Sequence, residues 1–300
     1  MIVAVLLPST GRAEQMKARA NDLLMQPVPD DVELWLVLAP PADDAATNNA
    51  GRELASQWQD SDVTVILAQR DADTTAVQGW NAAYEAIKDD VSPDWLVLGA
   101  DDIIWRPGWL ANALAVAEQT GAQVVGLNDG HTNLRHYGAH YMVARPFLSE
   151  HLGGFFIPPA YSSWWFDREV CEKAASLGLY APAWDAVAEH THPDWGNAAM
   201  DDTYKTAWPL HEVDRGIYEA RKAAGWPVDY VELVKEPEVP VYTGMEPEPT
   251  IPVQTGIDAT DAAVKLAAEH GLDLAAITGT GTDGRIIKSD VEAAIKEGES

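Results

Sequence analysis

The feature that most constrains this chain is an alternation in its first hundred residues. Short continuous apolar runs at 2–7, 32–38, 63–67 and 95–98 are separated by longer stretches at 13–24, 46–59 and 75–87, which carry apolar or alanine positions at helical spacing. Apolar runs without an in–out alternation are expected of strands buried on both faces. Strand–helix–strand repetition then predicts an α/β fold with a mostly parallel sheet. In such sheets ligands bind beyond the carboxyl ends of the strands. The informative loops are those after Leu7, Leu38, Leu67 and Leu98.

Pro107 is expected to open a helix at its first turn, running to Thr120. Strands are predicted at 124–127 and 140–143, and a short helix at 146–152, closed by Gly153–Gly154. Residues 163–177 form an amphipathic helical pattern that stops at Gly178. Composition changes near residue 228. Pro237, Pro240, Pro247, Pro249 and Pro252 fall between 228 and 258, which predicts a stiff, acidic linker. Beyond it, 260–270 and 290–296 read as helices with Thr260 and Ser289 as caps. The expected division is a main domain at 1–227, a linker at 228–258 and a small all-α module at 259–296.

The formal net charge of −27 repels a phosphate backbone at long range, which counts against non-specific nucleic-acid binding. Cys171 is the single cysteine, so no disulfide within the chain and no cysteine-based zinc site is possible. The opening MIVAVLLPSTGR has an apolar run too short for a membrane span and no basic leader before it. It reads as a first strand, and the expectation is a cytoplasmic protein with no membrane contact.

The sharpest chemical signal is DWLVLGADDIIWRPGWL. A buried strand delivers two adjacent carboxylates, Asp101 and Asp102, to its carboxyl end. Two like charges side by side are costly without a cation. Mg²⁺ and Mn²⁺ take carboxylate oxygens and bridge to substrate phosphates. In isolation such a pair reads as a turn cap beside a solvated acid. Its place after LVLGA raises the metal reading above that.

From residue 2 to about residue 195 the chain resembles the GT-A-type glycosyltransferases, especially the family-two-like inverting enzymes. The acidic pair matches the family's motif for metal and sugar-nucleotide diphosphate, and Pro107, Gly108, Trp109 and Leu110 match the helix start that follows it. LLPSTGR matches the nucleotide-contacting first loop through Pro8, Ser9, Thr10 and Arg12. VQGWNAAYEA matches a pattern before the acidic strand through Gly79, Trp80 and Asn81, and Asp71 stands where an acid reads the base or ribose. The resemblance thus implies a nucleotide-diphospho-sugar transferase fold, a UDP-sugar donor and a divalent metal. It places Pro8, Ser9, Thr10, Arg12, Asp71, Gly79, Asn81 and Asp101 at the donor and Asp102 at the metal.

The acceptor half is matched by Gly153, Gly154 and Phe155, followed by SSWWFDREVCEKAASLG. There Asp167 occupies the catalytic-base position, with Phe166 in place of the family's glutamate. Glu169 and Glu172 are nearby alternatives. Trp164 and Trp165 border the implied acceptor pocket, and one of them is expected to be core. In EHTHPDWG, His190 and His192 alternate and face one way, and either completes the implied metal shell. Residues 259–295 resemble the peripheral subunit-binding domain of 2-oxo acid dehydrogenase acyltransferases, through ATDAAVKLAAEHGLDL and GTGTDGRIIKSDVEAAI. This implies a docking module for a protein or DNA partner. Arg285 and Lys288 keep basic positions, whereas Val264 replaces an arginine and Asp261 a proline of that family.

The acceptor is expected to be a hydroxyl on a glycan, a protein or a DNA base. A compact domain of this type with a docking module is similar to bacteriophage-encoded enzymes, which implies a hydroxymethylated pyrimidine in DNA and a host-cytoplasm location. Two other readings share the sheet: a non-catalytic adaptor, and a nucleotidyltransferase, of whose Gly-rich basic first loop LLPSTGRAEQMK keeps only a faint echo.

Overall fold

The computed structural model describes residues 1–230 except 60, 73 and 74, and from the rest of the chain residues 263, 266, 277–279, 286 and 288–298. The apolar runs become strands. In chain order the first unit contains β1 (Ile2–Pro8), α1 (Ala13–Leu24), β2 (Glu33–Ala39), α2 (Ala45–Gln57), β3 (Val63–Leu67), α3 (Ala76–Glu85) and β4 (Trp95–Leu98). Then follow β5 (Ile103–Trp105), α4 (Trp109–Thr120), β6 (Val124–Asn128), β7 (His140–Ala144), α5 (Arg145–His151), α6 (Phe166–Ser176) and β8 (Tyr180–His190). A short 3₁₀ turn at Pro193–Trp195 precedes α7 (Asp202–Ala207) and α8 (Leu210–Ala223).

The strands form one sheet in the order β3-β2-β1-β4-β7-β6-β8-β5. The pairs β1–β2, β1–β4, β2–β3 and β6–β8 are parallel, and β4–β7, β6–β7 and β5–β8 are antiparallel. The chain leaves β1 for β2 on one side and returns as β4 on the other, so β1 and β4 flank a topological switch point.

The two-residue period of a strand sorts the core into two layers. Val3, Val5 and Leu7 of β1 face one way, onto Met16, Ala20 and Leu23 of α1, Leu54 of α2 and Trp109 of α4. Ala4 and Leu6 face the other, with Val77 and Trp80 of α3, Phe147 of α5 and Phe166 and Val170 of α6. Burial on both faces is why these runs lack a polar alternation. α3 starts at a capping box in which Thr75 and Gln78 satisfy each other's backbone donors.

Two expectations change. Pro107 does not open α4: Gly108, at φ +82°, is the cap, and the helix starts at Trp109. Ser163–Trp165 is not helical; α6 begins at Phe166 because Trp165 takes φ +66°. At Gly99, just after β4, the backbone packs tightly on β1. The Gly99 amide donates to the Leu6 carbonyl at 3.0 Å. A Cβ there would stand 2.7 Å from Val5 Cγ1 and 2.9 Å from Leu6 O. Gly99→Ala is therefore expected to cost about 1–3 kcal/mol in denaturant unfolding, by overpacking.

The chain divides into two units, Met1–Pro237 and Glu238–Ser300. Tyr230 is buried, edge-on to Phe155 and with its ring 4.6 Å from the Arg221 guanidinium. Residues 228–230 thus belong with the first unit rather than with the linker, whose residues 231–258 lie outside the described ones. In the second unit, α9 (Lys288–Gly298) follows the second predicted helix, and Ala263, Ile286 and Val291 are buried together. The helix expected at 260–270 and the loop at 279–284 lie almost wholly outside the described residues. Among the described residues no helix is long and apolar enough to cross a membrane.

Candidate active site

The loops after β1 and β4 meet because those strands are parallel neighbours. They open onto a cavity of about 1020 Å³. Its wall includes Pro8, Ser9, Thr10, Arg12, Asp101, Asp102, Asp167, His190 and His192, drawn together from positions up to 184 residues apart.

Asp101 and Asp102 are both buried. Asp101 accepts from the Ser9 hydroxyl at 2.5 Å and from Arg12 Nη1 at 2.9 Å. Arg12 also reaches Asp102 at 3.8 Å and forks onto Asp201, the cap of α7, at 2.7 and 2.8 Å. One guanidinium thus ties the β1 loop to the acidic pair and to α7. Burial, and then the charge of Asp102, push the Asp101 carboxyl up to about 6, against Arg12 and Ser9. Asp102 moves the opposite way. Burial opposes its charge, but His190 and the Tyr204 hydroxyl, which donates to Oδ2 at 2.6 Å, hold it ionised.

The histidines reach Asp102 through strand pairing. β5 runs antiparallel to β8 with Ile103 opposite His190, and the Thr191 amide and hydroxyl both donate to the Asp102 carbonyl at 2.9 Å. This brings His190 Nε2 to 3.4 Å from Asp102 Oδ2. Burial lowers the His190 pKa, yet Asp102 outweighs it and the net shift is upward. His192 lies two residues on, its ring centroid 5.4 Å from that of His190. Its Nδ1 accepts from the Asp194 amide at 3.2 Å, which leaves the proton on Nε2. His140, with Nδ1 3.2 Å from the Leu98 carbonyl, is held neutral by burial and by His190, its pKa lowered to about 4.

Among the described residues, Asp102 Oδ1, His190 Nδ1 and His192 Nε2 are buried without a hydrogen-bond partner. An open oxygen on a carboxylate that already faces His190 Nε2 suits Mg²⁺ or Mn²⁺, so Asp102 and His190 fit a cation, whereas His192, protonated at Nε2, offers no lone pair there. Among the described residues no three His, Cys, Asp or Glu side chains form a ready cage.

Asp167 enters the cavity wall from the first turn of α6. Its presentation depends on Asp214 of α8, whose carboxylate accepts from the backbone amides of Ser162, Ser163 and Trp164 at 2.8–3.1 Å. Those bonds fix the loop that ends in the left-handed Trp165. Burial raises the Asp167 carboxyl to about 6. The alternatives are committed elsewhere. Glu169 is fully buried, accepting from Arg221 at 2.6 and 2.7 Å and from Tyr161 at 2.6 Å. Glu172 accepts from Tyr218 at 2.7 Å and pairs with Lys222.

Three expected donor residues lie off the cavity wall. Asp71 is exposed, and its neighbour Arg70 lines the cavity instead, bound to the Ala39 carbonyl at 3.0 Å and the Thr10 hydroxyl at 2.5 Å. Gly79 acts through packing, since a Cβ there would stand 2.8 Å from Pro8 Cβ. Asn81 is occupied at both ends by the Ile157 backbone, at 2.9 and 3.0 Å. Neither Trp164 nor Trp165 is fully buried. Trp165 packs against the second core layer, and Trp164 donates to the Ala207 carbonyl at 2.8 Å. Arg70, Tyr204 and Arg168 are wall residues that sequence reading does not single out. The only trace of Tyr204 in the sequence is its place three residues after the capping Asp201.

This architecture resembles known structures. A mannosyltransferase from Pyrobaculum calidifontis, in complex with GDP-Man and Mn²⁺, matches at 18% identity with a TM-score of 0.57 over 74% of this chain. The match spans 64% of that protein's length. TarS 1–349 from S. aureus, in complex with UDP-GlcNAc, matches at 11% identity with a TM-score of 0.49, over 70% of this chain and 65% of that one. The likeness to the mannosyltransferase shows the fold: a GT-A-type α/β sheet, as the strand pattern and motifs predict. Residues 259–292 match the family described as the e3 binding domain. No curated protein matches the chain.

Proposed function

We propose that the first unit is a divalent-metal-dependent glycosyltransferase that moves a sugar from a nucleoside-diphosphate sugar to an acceptor hydroxyl. One observation carries this reading. The first-strand loop, the Asp101–Asp102 pair and Asp167 share one cavity at the carboxyl ends of β1 and β4.

Asp102 with His190 would hold the metal, since His190 Nε2 already stands beside that carboxylate. A bound Mg²⁺ or Mn²⁺ would offset the charge that develops on the leaving diphosphate. Arg12 keeps the β1 loop and the acidic pair in register as the donor binds. Asp167 acts as general base. It takes the proton of the acceptor hydroxyl while that oxygen bonds to the anomeric carbon, and the bond from that carbon to the diphosphate oxygen breaks. A single displacement of this kind, with Asp167 as base, would invert the anomeric centre. His192 Nε2–H is a donor rather than a lone pair in this arrangement, which suits a phosphate or sugar oxygen.

The donor we expect first is a UDP-sugar; GDP-mannose, which the P. calidifontis protein holds, is the second to try. A relic kept only for binding has no need of an unpartnered, buried Asp102 oxygen. The charge of −27 favours a small acceptor over DNA. The test is a thermal-shift panel of UDP-glucose, UDP-GlcNAc and GDP-mannose with and without MnCl₂. At least one sugar nucleotide is expected to raise the melting temperature only with manganese. No shift with any of them would favour the adaptor reading.

A further inference from the structure

Three arginines line the cavity, and two are committed. Arg12 is bound by Asp101 and Asp201, and Arg70 by the Ala39 carbonyl and the Thr10 hydroxyl. Arg168 differs. Among the described residues it forms no ion pair, and the hydrogen bond its side chain makes is from Nη2 to the Tyr137 hydroxyl, at 3.2 Å. Its guanidinium carbon lies 4.4 Å from the centre of the Tyr137 ring and 4.7 Å from that of Trp165. Two aromatic rings therefore flank the cation while leaving Nε and Nη1 without an acceptor among the described residues. The Trp165 ring is itself held by the loop that Asp214 anchors. A half-buried guanidinium that feels the neighbouring Asp167 carboxylate but makes no direct ion pair among the described residues, in a wall that also carries Asp101 and Asp102, keeps donors available for an anion.

Its position says which substrate would use it. Arg168 follows Asp167 directly on the first turn of α6, and both line the cavity. A hydroxyl within about 3 Å of the base carboxylate sits in a molecule whose neighbouring groups fall beside Arg168. We propose that Arg168 binds a phosphate or carboxylate on the acceptor, so that the acceptor is a small hydroxylated anion. This rests on the reading of Asp167 as base. The fork geometry of a guanidinium matches both anions in two-point fashion.

The experiment is calorimetric titration of the full chain with glycerol 3-phosphate, glycerate, inorganic phosphate and uncharged glycerol. It is run with and without saturating UDP and MnCl₂, on wild type and on Arg168→Gln and Arg168→Lys. Expected are binding of at least one anion but not of glycerol, persistence of that binding when UDP is present, and a loss of about 10–100-fold in Arg168→Gln. Arg168→Lys is expected to recover only part of it, for want of the fork. Equal binding in wild type and Arg168→Gln, displacement of the anion by UDP, or no anion binding tighter than about 10 mM would each overturn the proposal. Melting curves and UDP titrations of the same variants separate misfolding, and failure of the donor reading, from failure of this one.

Discussion

Replacing Asp167 with asparagine is expected to lower kcat by about 10²–10⁴-fold while leaving the donor KM near that of wild type. The amide keeps the shape of the side chain and its place on α6 but cannot take a proton. The proposed donor contacts lie on the β1 and β4 loops, which the substitution does not touch. Wild type should show the matching pH dependence. Burial has raised the Asp167 carboxyl to about 6, and a base works only when deprotonated, so kcat/KM should fall as pH drops through about 6 and level off above it. Steady-state kinetics on both proteins check this. A variant within a few-fold of wild type, or an unchanged acid limb, would remove Asp167 from the reaction.

The second large effect is on stability. Arg221→Met is expected to destabilise the first unit by about 3–5 kcal/mol, read by urea unfolding. Arg221 of α8 and Glu169 of α6 are both fully buried and joined two-point, and Arg221 also donates to the Pro227 carbonyl at 2.8 Å. Removing the cation leaves a carboxylate away from water with, among the described residues, only the Tyr161 hydroxyl on it. The double change Glu169→Leu with Arg221→Met should recover much of the loss, because it removes the stranded charge as well. If the single substitution were neutral, the pair would not be what joins α6 to α8.

The first four strands were legible because sheet burial on both faces writes itself as unbroken apolar runs, as in LVLG and VAVLL. β8 was not. Its sequence YAPAWDAVAEH is rich in alanine and contains a proline, neither of which favours a strand, and it forms only because β6 and β5 supply partners on both sides. The acidic pair was legible from its place after β4. The sequence reading names Asp71, whereas its neighbour Arg70 lines the cavity; a loop carries no side-chain period, so an offset of one residue is not legible. Gly79 and Asn81 look like ligand contacts in a motif, yet their positions are explained by the close approach of α3 to Pro8 and by the Ile157 backbone. Asp214 left no signal, since its role depends on three amides that lie about 50 residues earlier.

The central claim is that Asp102 is the point where metal and donor diphosphate meet. It is tested most directly by titrating UDP into wild type and Asp102→Ala, each with and without MnCl₂. Binding is expected to strengthen at least about tenfold with manganese in wild type, with the manganese-dependent part absent in Asp102→Ala. Equal, manganese-strengthened binding in both proteins would contradict it.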